Sequence, residues 1–366
     1  DSEGQVVTTK DQSLSRLEEK VERNGNHYQR TEERNMKALD LKRTLELVKP
    51  GLARKELLEQ STSIIFRKNH IFTFNDEVAV VAPLDTGITG AVPSDPLYAF
   101  LGKLGEGAEI KVEAPENEFR FSSGRNRAGI RRDEDIKLPL DEEIPEPEEW
   151  IALPEKFLEA LRRILFSCAG SGHRPILTCI HITKDWMESC DGYRMTRAKV
   201  RWESEDNLCI VGKNLEKLAQ YSPTHFGPSS NWIQFKNQGG VRYAVRVVDG
   251  EYPDLDKFTE VEGEEIEFPT EMENALDWAA IIVDSSIKFT QKIDVSIGKG
   301  QCTVKGEGPE GWADKSVRMK YSGKPITFQA HPQMLKEMVK LASRTTVGDK
   351  SIKIEGEDFI HIISLE

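Results

Sequence analysis

Apolar residues spaced i, i+4, i+7 and i+11 recur three times along this chain, and that repetition constrains its fold more than any other feature. The sets are Leu41, Leu45, Val48 and Leu52; Phe157, Leu161, Ile164 and Cys168; and Met272, Leu276, Ala279 and Val283, opening 116 and then 115 residues apart. Each set is one buried stripe of an α-helix. A second helix is predicted in each unit, over 95–104, 212–221 and 331–342. Pro96 and Pro332 stand in first-turn positions, where a missing N–H costs nothing. Leu215 and Leu218, then Leu335, Met338 and Ala342, line the inner faces of the later two.

Between the helices lie β-type runs. Ile64-Ile65-Phe66 and Ile71-Phe72-Thr73-Phe74 flank a hairpin-like turn, Leu177 to Ile182 is a further strand candidate, and 110–121, 232–247 and 352–363 alternate as strands do. The charged, proline-rich stretch 138–149 and the acidic stretch 259–265 read as linkers. The fold class is therefore α+β, with three repeated domains of two helices packed on antiparallel sheets, over 36–147, 148–262 and 263–366. Three like domains in a row form an arc, and arcs of identical chains close into rings.

Residues 1–35 stand apart, with eight acids, six bases and few apolar groups, and are expected to form a flexible extension. One short helix is predicted there, with Ser15 and Glu18 at capping-box spacing and Leu14, Leu17 and Val21 on one face. The segment has no apolar signal core, and no run of 18 apolar residues predicts a membrane span. The five cysteines, Cys168, Cys179, Cys190, Cys209 and Cys302, form no C-x-x-C pair, so buried thiols in a reducing cytoplasm are expected in place of disulfides or zinc. A net charge of −12 argues against gripping nucleic acid by bulk electrostatics, although it says little about where the charges sit.

Motifs for catalysis are missing. The sequence contains no phosphate loop, no H-E-x-x-H and no G-x-S-x-G, and no metal or cofactor is implied. An enzymatic reading would take Cys190 as the nucleophile of a hydrolase, with His173 or His181 as base and Asp191 as its orienter.

Three segments carry a resemblance to a known family. Ser123-Gly124-Arg125-Asn126-Arg127 resembles an S-G-R-S-R strand. Arg174-Pro175-Ile176-Leu177-Thr178, followed by Cys190-Asp191-Gly192-Tyr193-Arg194-Met195, is similar to an R-P-x-L-x-G strand and a T-D-G-H-R-L turn. Val248-Asp249-Gly250-Glu251-Tyr252-Pro253-Asp254 is close to V-D-G-x-F-P-D. In order and spacing they resemble the bacterial DNA sliding clamp, the beta subunit of DNA polymerase III, over 36–366. Cys190, Tyr193 and Met195 depart from the family pattern.

The resemblance implies a non-catalytic processivity factor: a homodimeric ring that encircles duplex DNA without reading its sequence, in the cytoplasm with the nucleoid. DNA polymerase and clamp loader would dock through short linear peptides in an apolar cleft walled by Leu177, Cys190, Gly192, Tyr193, Arg194, Met195, Pro253, Lys257, Phe258, Ile362, Ile363 and Leu365. Positive charge is needed only where phosphates pass. Candidates are Arg43, Lys49, Lys103, Arg162, Arg163, Lys213, Lys217, Lys336, Lys340 and Arg344 on helices, with Arg54, Lys55 and Arg174 on loops. The ring seam would pair Ala128 and Ile130 of one chain with Ile281 and Ile282 of the other, with Ala128 standing where the family places a large aromatic. A clamp-like structural protein that does not encircle DNA is the remaining alternative.

Overall fold

A computed structural model describes residues 33–171, 174–203, 207–283, 291–342 and 344–365 of the chain. The helix expected within the first 32 residues, and His173, lie outside them.

The order of elements repeats three times. The first set is β1 (Glu33–Lys37), α1 (Ala38–Val48), β2 (Ser63–Arg67), β3 (His70–Phe74), β4 (Val78–Pro83), β5 (Thr89–Pro93), α2 (Ser94–Gly102), β6 (Glu109–Glu113), β7 (Glu118–Ser123) and β8 (Asn126–Arg131). After a helical turn, α3 (Leu140–Glu143), the second set is β9 (Ile151–Ala152), α4 (Phe157–Ile164), β10 (Cys179–Ile182), β11 (Trp186–Cys190), β12 (Arg194–Lys199), β13 (Leu208–Val211), α5 (Gly212–Leu215), β14 (His225–Ser229), β15 (Trp232–Lys236) and β16 (Arg242–Arg246). The third is β17 (Gly263–Glu267), α6 (Met272–Ala280), β18 (Ile293–Gly298), β19 (Gln301–Gly308), β20 (Gly311–Arg318), β21 (Ile326–Ala330), α7 (Pro332–Leu341), β22 (Arg344–Gly348), β23 (Ser351–Glu355) and β24 (Phe359–Ser364). In each set the first strand joins the sixth, seventh and eighth in one antiparallel order: β1-β6-β7-β8, β9-β14-β15-β16 and β17-β22-β23-β24. The stripes that predict the helices are buried in all three, with Leu41, Leu45, Val48, Phe157, Leu161, Ile164, Met272, Leu276 and Ala279 all at 1% exposure or less.

Contacts divide the described residues into two compact units. The first takes residues up to 45, 63–71 and 84–136. Its sheet β1-β6-β7-β8 sets Met36 opposite Ile110 and Phe119 opposite Ile130, and β2 pairs with β5. Phe66 and Phe119 meet edge to face at 5.2 Å in the core, and the Tyr98 hydroxyl donates to the Leu45 carbonyl at 2.8 Å.

The second unit takes 46–62, 72–83 and everything from 137 onward. It contains the run β4-β16-β15-β14-β9, the sheet β20-β19-β18-β21 and an eight-stranded sheet, β13-β10-β11-β12-β24-β23-β22-β17. In the last of these, β12 and β24 join the second and third repeats, pairing Arg194 with Ile363 and Ala198 with Phe359. On β19, Gly306 and Gly308 admit the end of α6 at close range. A Cβ on either would stand 1.9 and 2.1 Å from the carbonyl oxygens of Ala279 and Ile282.

The structure corrects several expectations. The segment 212–221 is not one helix but α5 followed by a 3-10 turn at Leu218–Tyr221. Apolar spacing alone does not distinguish the two, because i, i+3 neighbours share a face in both. Leu177 and Thr178 belong to a 3-10 turn, Pro175–Thr178, ahead of β10. The stretch 138–149 is packed, with Leu138, Leu140 and Ile144 buried and the Pro145 carbonyl accepting from Ser229 and Gln234. The stretch 259–265 already enters β17.

Candidate functional site

A cleft of about 530 Å³ opens in the second unit. Its walls come from four separated segments: the 3-10 turn (Arg174, Leu177), the β11–β12 hairpin (Cys190, Gly192, Tyr193, Arg194, Met195), the loop before β17 (Pro253, Leu255, Lys257, Phe258, Glu260) and the C-terminal strands (Lys350, Ser351, Ile362, Ser364). Ten of the twelve residues read from the sequence line it together. Ile363 and Leu365 do not: they are buried, because alternate residues of β24 face opposite sides of the sheet. Leu255, Glu260, Lys350, Ser351 and Ser364 escape sequence reasoning, since they reach the cleft only through tertiary folding.

Local chemistry shapes each wall. The Asp191 carboxylate accepts from the backbone N–H of Tyr193 and of Arg194, both at 3.0 Å, closing the hairpin. Gly192, at φ +93°, takes the first connecting position, where a two-residue hairpin needs positive φ. The turn holds Tyr193 outward at 46% exposure, and Phe258 stands out at 57%. The floor is apolar and thiol-rich: Cys179, Cys190, Met195, Cys209, Tyr252, Leu255 and Ile362 pack as one buried cluster.

Arg194, expected in the cleft wall, is engaged within the chain. Its guanidinium donates to Asp191 at 2.9 Å, pairs with Glu337 of α7 and lies over the Phe166 ring at 5.2 Å. Among the described residues, Cys190 is bonded to Tyr252 and to no histidine. Burial pushes its thiol pKa up, against the opposing effect of the Tyr252 hydroxyl, and that hydroxyl also accepts from the Cys190 backbone N–H at 3.0 Å. His181 bonds through Nδ1 to Glu188 at 2.9 Å and stacks on Tyr252 at 4.7 Å. Among the described residues no group of three or more His, Cys, Asp or Glu is placed to hold a metal ion.

The repeat supplies an internal comparison. Asn75 closes the β3–β4 turn as Asp191 closes β11–β12, accepting from the N–H of Glu77 and of Val78. The Arg246 N–H donates to the Glu77 carbonyl at 3.0 Å, as Ser364 does to Tyr193 at 2.8 Å. Arg246 therefore holds the place that Ser364 holds at the cleft. It pairs with Asp76, approaches Glu143 at 3.7 Å and lies 4.6 Å over Trp232. Ser61 takes the place of Leu177, each accepting through its carbonyl from an alanine N–H at 2.9 Å. At one junction this position carries an ion-paired arginine, whereas at the other it carries a serine that lines the cleft.

The basic candidates are dispersed. Arg43 is exposed on α1, Arg162 and Arg163 lie on α4, and Lys336 and Lys340 on α7. Arg163, Lys336 and Lys340 face Glu159, Asp277 and Glu273 at 2.7, 2.5 and 3.7 Å, and Lys49 faces Glu46 at 3.4 Å. Arg54, Lys55, Lys103, Lys213 and Lys217 are exposed, and Arg174 lines the cleft. Not all of these are helical as expected: Lys49 lies in a 3-10 turn, Lys103 just past α2, Lys217 between α5 and its 3-10 turn, and Arg344 opens β22. Of the seam candidates, Ile281 is 68% exposed, Ile282 and Ala128 are half-buried, and Ile130 points into its own core. Trp278 and Trp312, exposed at 51% and 64%, were not singled out from the sequence, where nothing marks them as surface residues.

Fold and cleft together define a repeat-built α+β scaffold that offers an apolar groove. No protein-family model matches the sequence, and no curated protein does. Solved structures do match. The DNA polymerase III subunit beta of Pseudomonas aeruginosa aligns with a TM-score of 0.79 at 17% identity, covering 91% of this chain and 99% of that one. The sliding clamp of Bartonella birtlesii, solved bound to griselimycin, gives 0.81 at 17% identity, with 92% and 99% covered. That of Bacillus subtilis gives 0.78 at 16% identity, with 91% and 98% covered. The chain has the fold of the bacterial DNA polymerase III beta sliding clamps.

Proposed function

We propose that this chain is a DNA sliding clamp, a non-catalytic processivity factor of the cytoplasm. The observation that carries the reading is the cleft, since ten residues named from the sequence converge on one apolar groove within the sliding-clamp fold. Such a groove accepts the apolar side chains of a short linear peptide, and a DNA polymerase and a clamp loader would dock there through such peptides. The three repeats serve as three clamp domains over 36–147, 148–262 and 263–366, and two chains close the ring. Arg43, Arg162, Lys213 and the other helix cations supply weak phosphate attraction, which lets a ring slide without pausing. The acidic balance of −12 stays outside the hole. Ala128 and Ile281, joined by exposed Trp278 and Trp312, form the seam.

The test is topological. Loaded by a bacterial clamp loader onto nicked circular DNA, the protein is expected to stay bound and to run off once the circle is cut. Equal retention on cut and uncut circles rejects encirclement. A second expectation concerns the groove. Ser364→Arg, which puts the arginine of the other junction into the cleft, is expected to weaken peptide binding about tenfold or more. Melting should be unchanged, because Ser364 is exposed. Fluorescence anisotropy against a Leu/Phe-containing peptide measures it, and unaltered affinity would place the docking site elsewhere.

A further inference from the structure

We infer that the groove selects an acidic linear peptide, one whose apolar anchors are flanked by aspartate or glutamate. The inference rests on the cleft being a peptide site and concerns the charge around it. Among the described residues, four cationic side chains line the cleft, Arg174, Arg194, Lys257 and Lys350, against one carboxylate, Glu260. In a chain of net charge −12 this local sign is inverted.

The four cations are not equally available. Arg194 is spent on Asp191 and Glu337 and is largely shielded from solvent. Lys257 shares its charge with Asp254 at 3.3 Å, where both side chains are exposed. Arg174 and Lys350 are exposed, and neither is ion-paired among the described residues. Their backbones are fixed: the Arg174 carbonyl accepts from the Leu177 N–H at 3.1 Å, and the Lys350 carbonyl from the Leu365 N–H at 2.8 Å. The two free cations are therefore carried on separate, anchored walls of an apolar groove, with Glu260 opposing them. A carboxylate entering beside an apolar anchor gains from both walls, and an ammonium there is repelled. The gain per exposed pair is small and screened by salt. Selectivity is accordingly modest and strongly dependent on ionic strength.

The experiment compares three versions of one Leu/Phe-anchored peptide, flanked by Asp, Ser or Lys, by fluorescence anisotropy with the full chain. At about 50 mM salt the Asp version is expected to bind about tenfold tighter than the Lys version, and the gap is expected to close at about 500 mM. R174E/K350E is expected to remove or reverse the preference, read as the ratio of the Asp-version to the Lys-version affinity. Should that variant misfold, the salt dependence on the unaltered protein still decides. Equal affinities for all three peptides, each lost with Ser364→Arg, would overturn the charge selection and leave the groove standing as a peptide site. If no peptide binds, the peptide-site reading itself fails, and this inference with it.

Discussion

Glu188→Ala is expected to lower the unfolding free energy by about 3–5 kcal/mol, the range for removing one partner of a buried ion pair. Glu188 and Arg197 are 4% and 7% exposed and stand directly opposite each other on β11 and β12. The carboxylate accepts from Arg197 Nε at 2.7 Å and bonds to His181 Nδ1 on β10 at 2.9 Å. Arg197 also lies 5.2 Å over the Trp186 ring. Burial acts to lower its pKa, and the bonds to Asp256 and Glu188 outweigh that and raise it, so the charge stays. Without Glu188, a buried guanidinium keeps only Asp256, bonded at 2.6 Å but with its side chain 79% exposed and so well screened. Asp256 sits in the loop that carries Leu255, Lys257 and Phe258 to the cleft, so the same variant is expected to loosen peptide binding. Glu188→Gln keeps the hydrogen bonds and should cost less, and Asp256→Asn should cost within about 1 kcal/mol. Urea unfolding at pH 7 distinguishes them. A loss below about 1 kcal/mol for Glu188→Ala would mean that water reaches the pair and that it is not structural.

Much of this was legible in the sequence, for identifiable reasons. The helical stripes were legible because burial selects one face, and Leu41, Phe157 and Met272 carry that face in each repeat. The cleft hairpin was legible only through the resemblance of Cys190 to Met195 to a T-D-G-H-R-L turn, and the structure gives its local cause, one Asp191 carboxylate and one positive φ at Gly192. What escaped depends on distant segments. Arg194 reads as a free cation until Glu337, 143 residues away, is brought beside it. Lys350 and Glu260 belong to the cleft only because β22, β23 and β17 join the sheet that holds β11 and β12. Arg344 falls on a strand because α7 ends at Leu341, and its charge gave no sign of that. The match of Arg246 to Ser364 emerges only when two junctions of the same topology are laid side by side.

Lowering the pH from 6.5 is expected to destabilise the second unit through one residue, His361. Its ring is fully buried on β24, bonded through Nδ1 to the Thr196 hydroxyl at 2.8 Å, and Thr196 in turn meets Ser167 at 2.6 Å. Phe166 covers the ring at 5.2 Å. Burial, reinforced by the Arg194 charge, pulls its pKa from 6.5 down to about 3. The sign follows from linkage. Above 6.5 both folded and unfolded chains hold a neutral imidazole, and the full stability is present. Between 6.5 and about 3 only the unfolded chain takes the proton, so stability falls by about 1.4 kcal/mol per pH unit, and below about 3 the loss stops growing. Summed over that window, one histidine accounts for about 4–5 kcal/mol. It also acts at the β12–β24 pairing that joins the second and third repeats and carries Met195 and Ile362 into the cleft. His361→Asn keeps a polar partner for Thr196 and removes the proton site. The variant starts less stable at pH 7, because the smaller side chain leaves space under Phe166, but the gap to the unaltered protein should narrow by about 2 kcal/mol in total as both are unfolded in urea at pH 7, 6 and 5, with the larger part of the change between pH 6 and 5. A gap that stays constant across that series would show that His361 takes up its proton in the folded chain as readily as in the unfolded one.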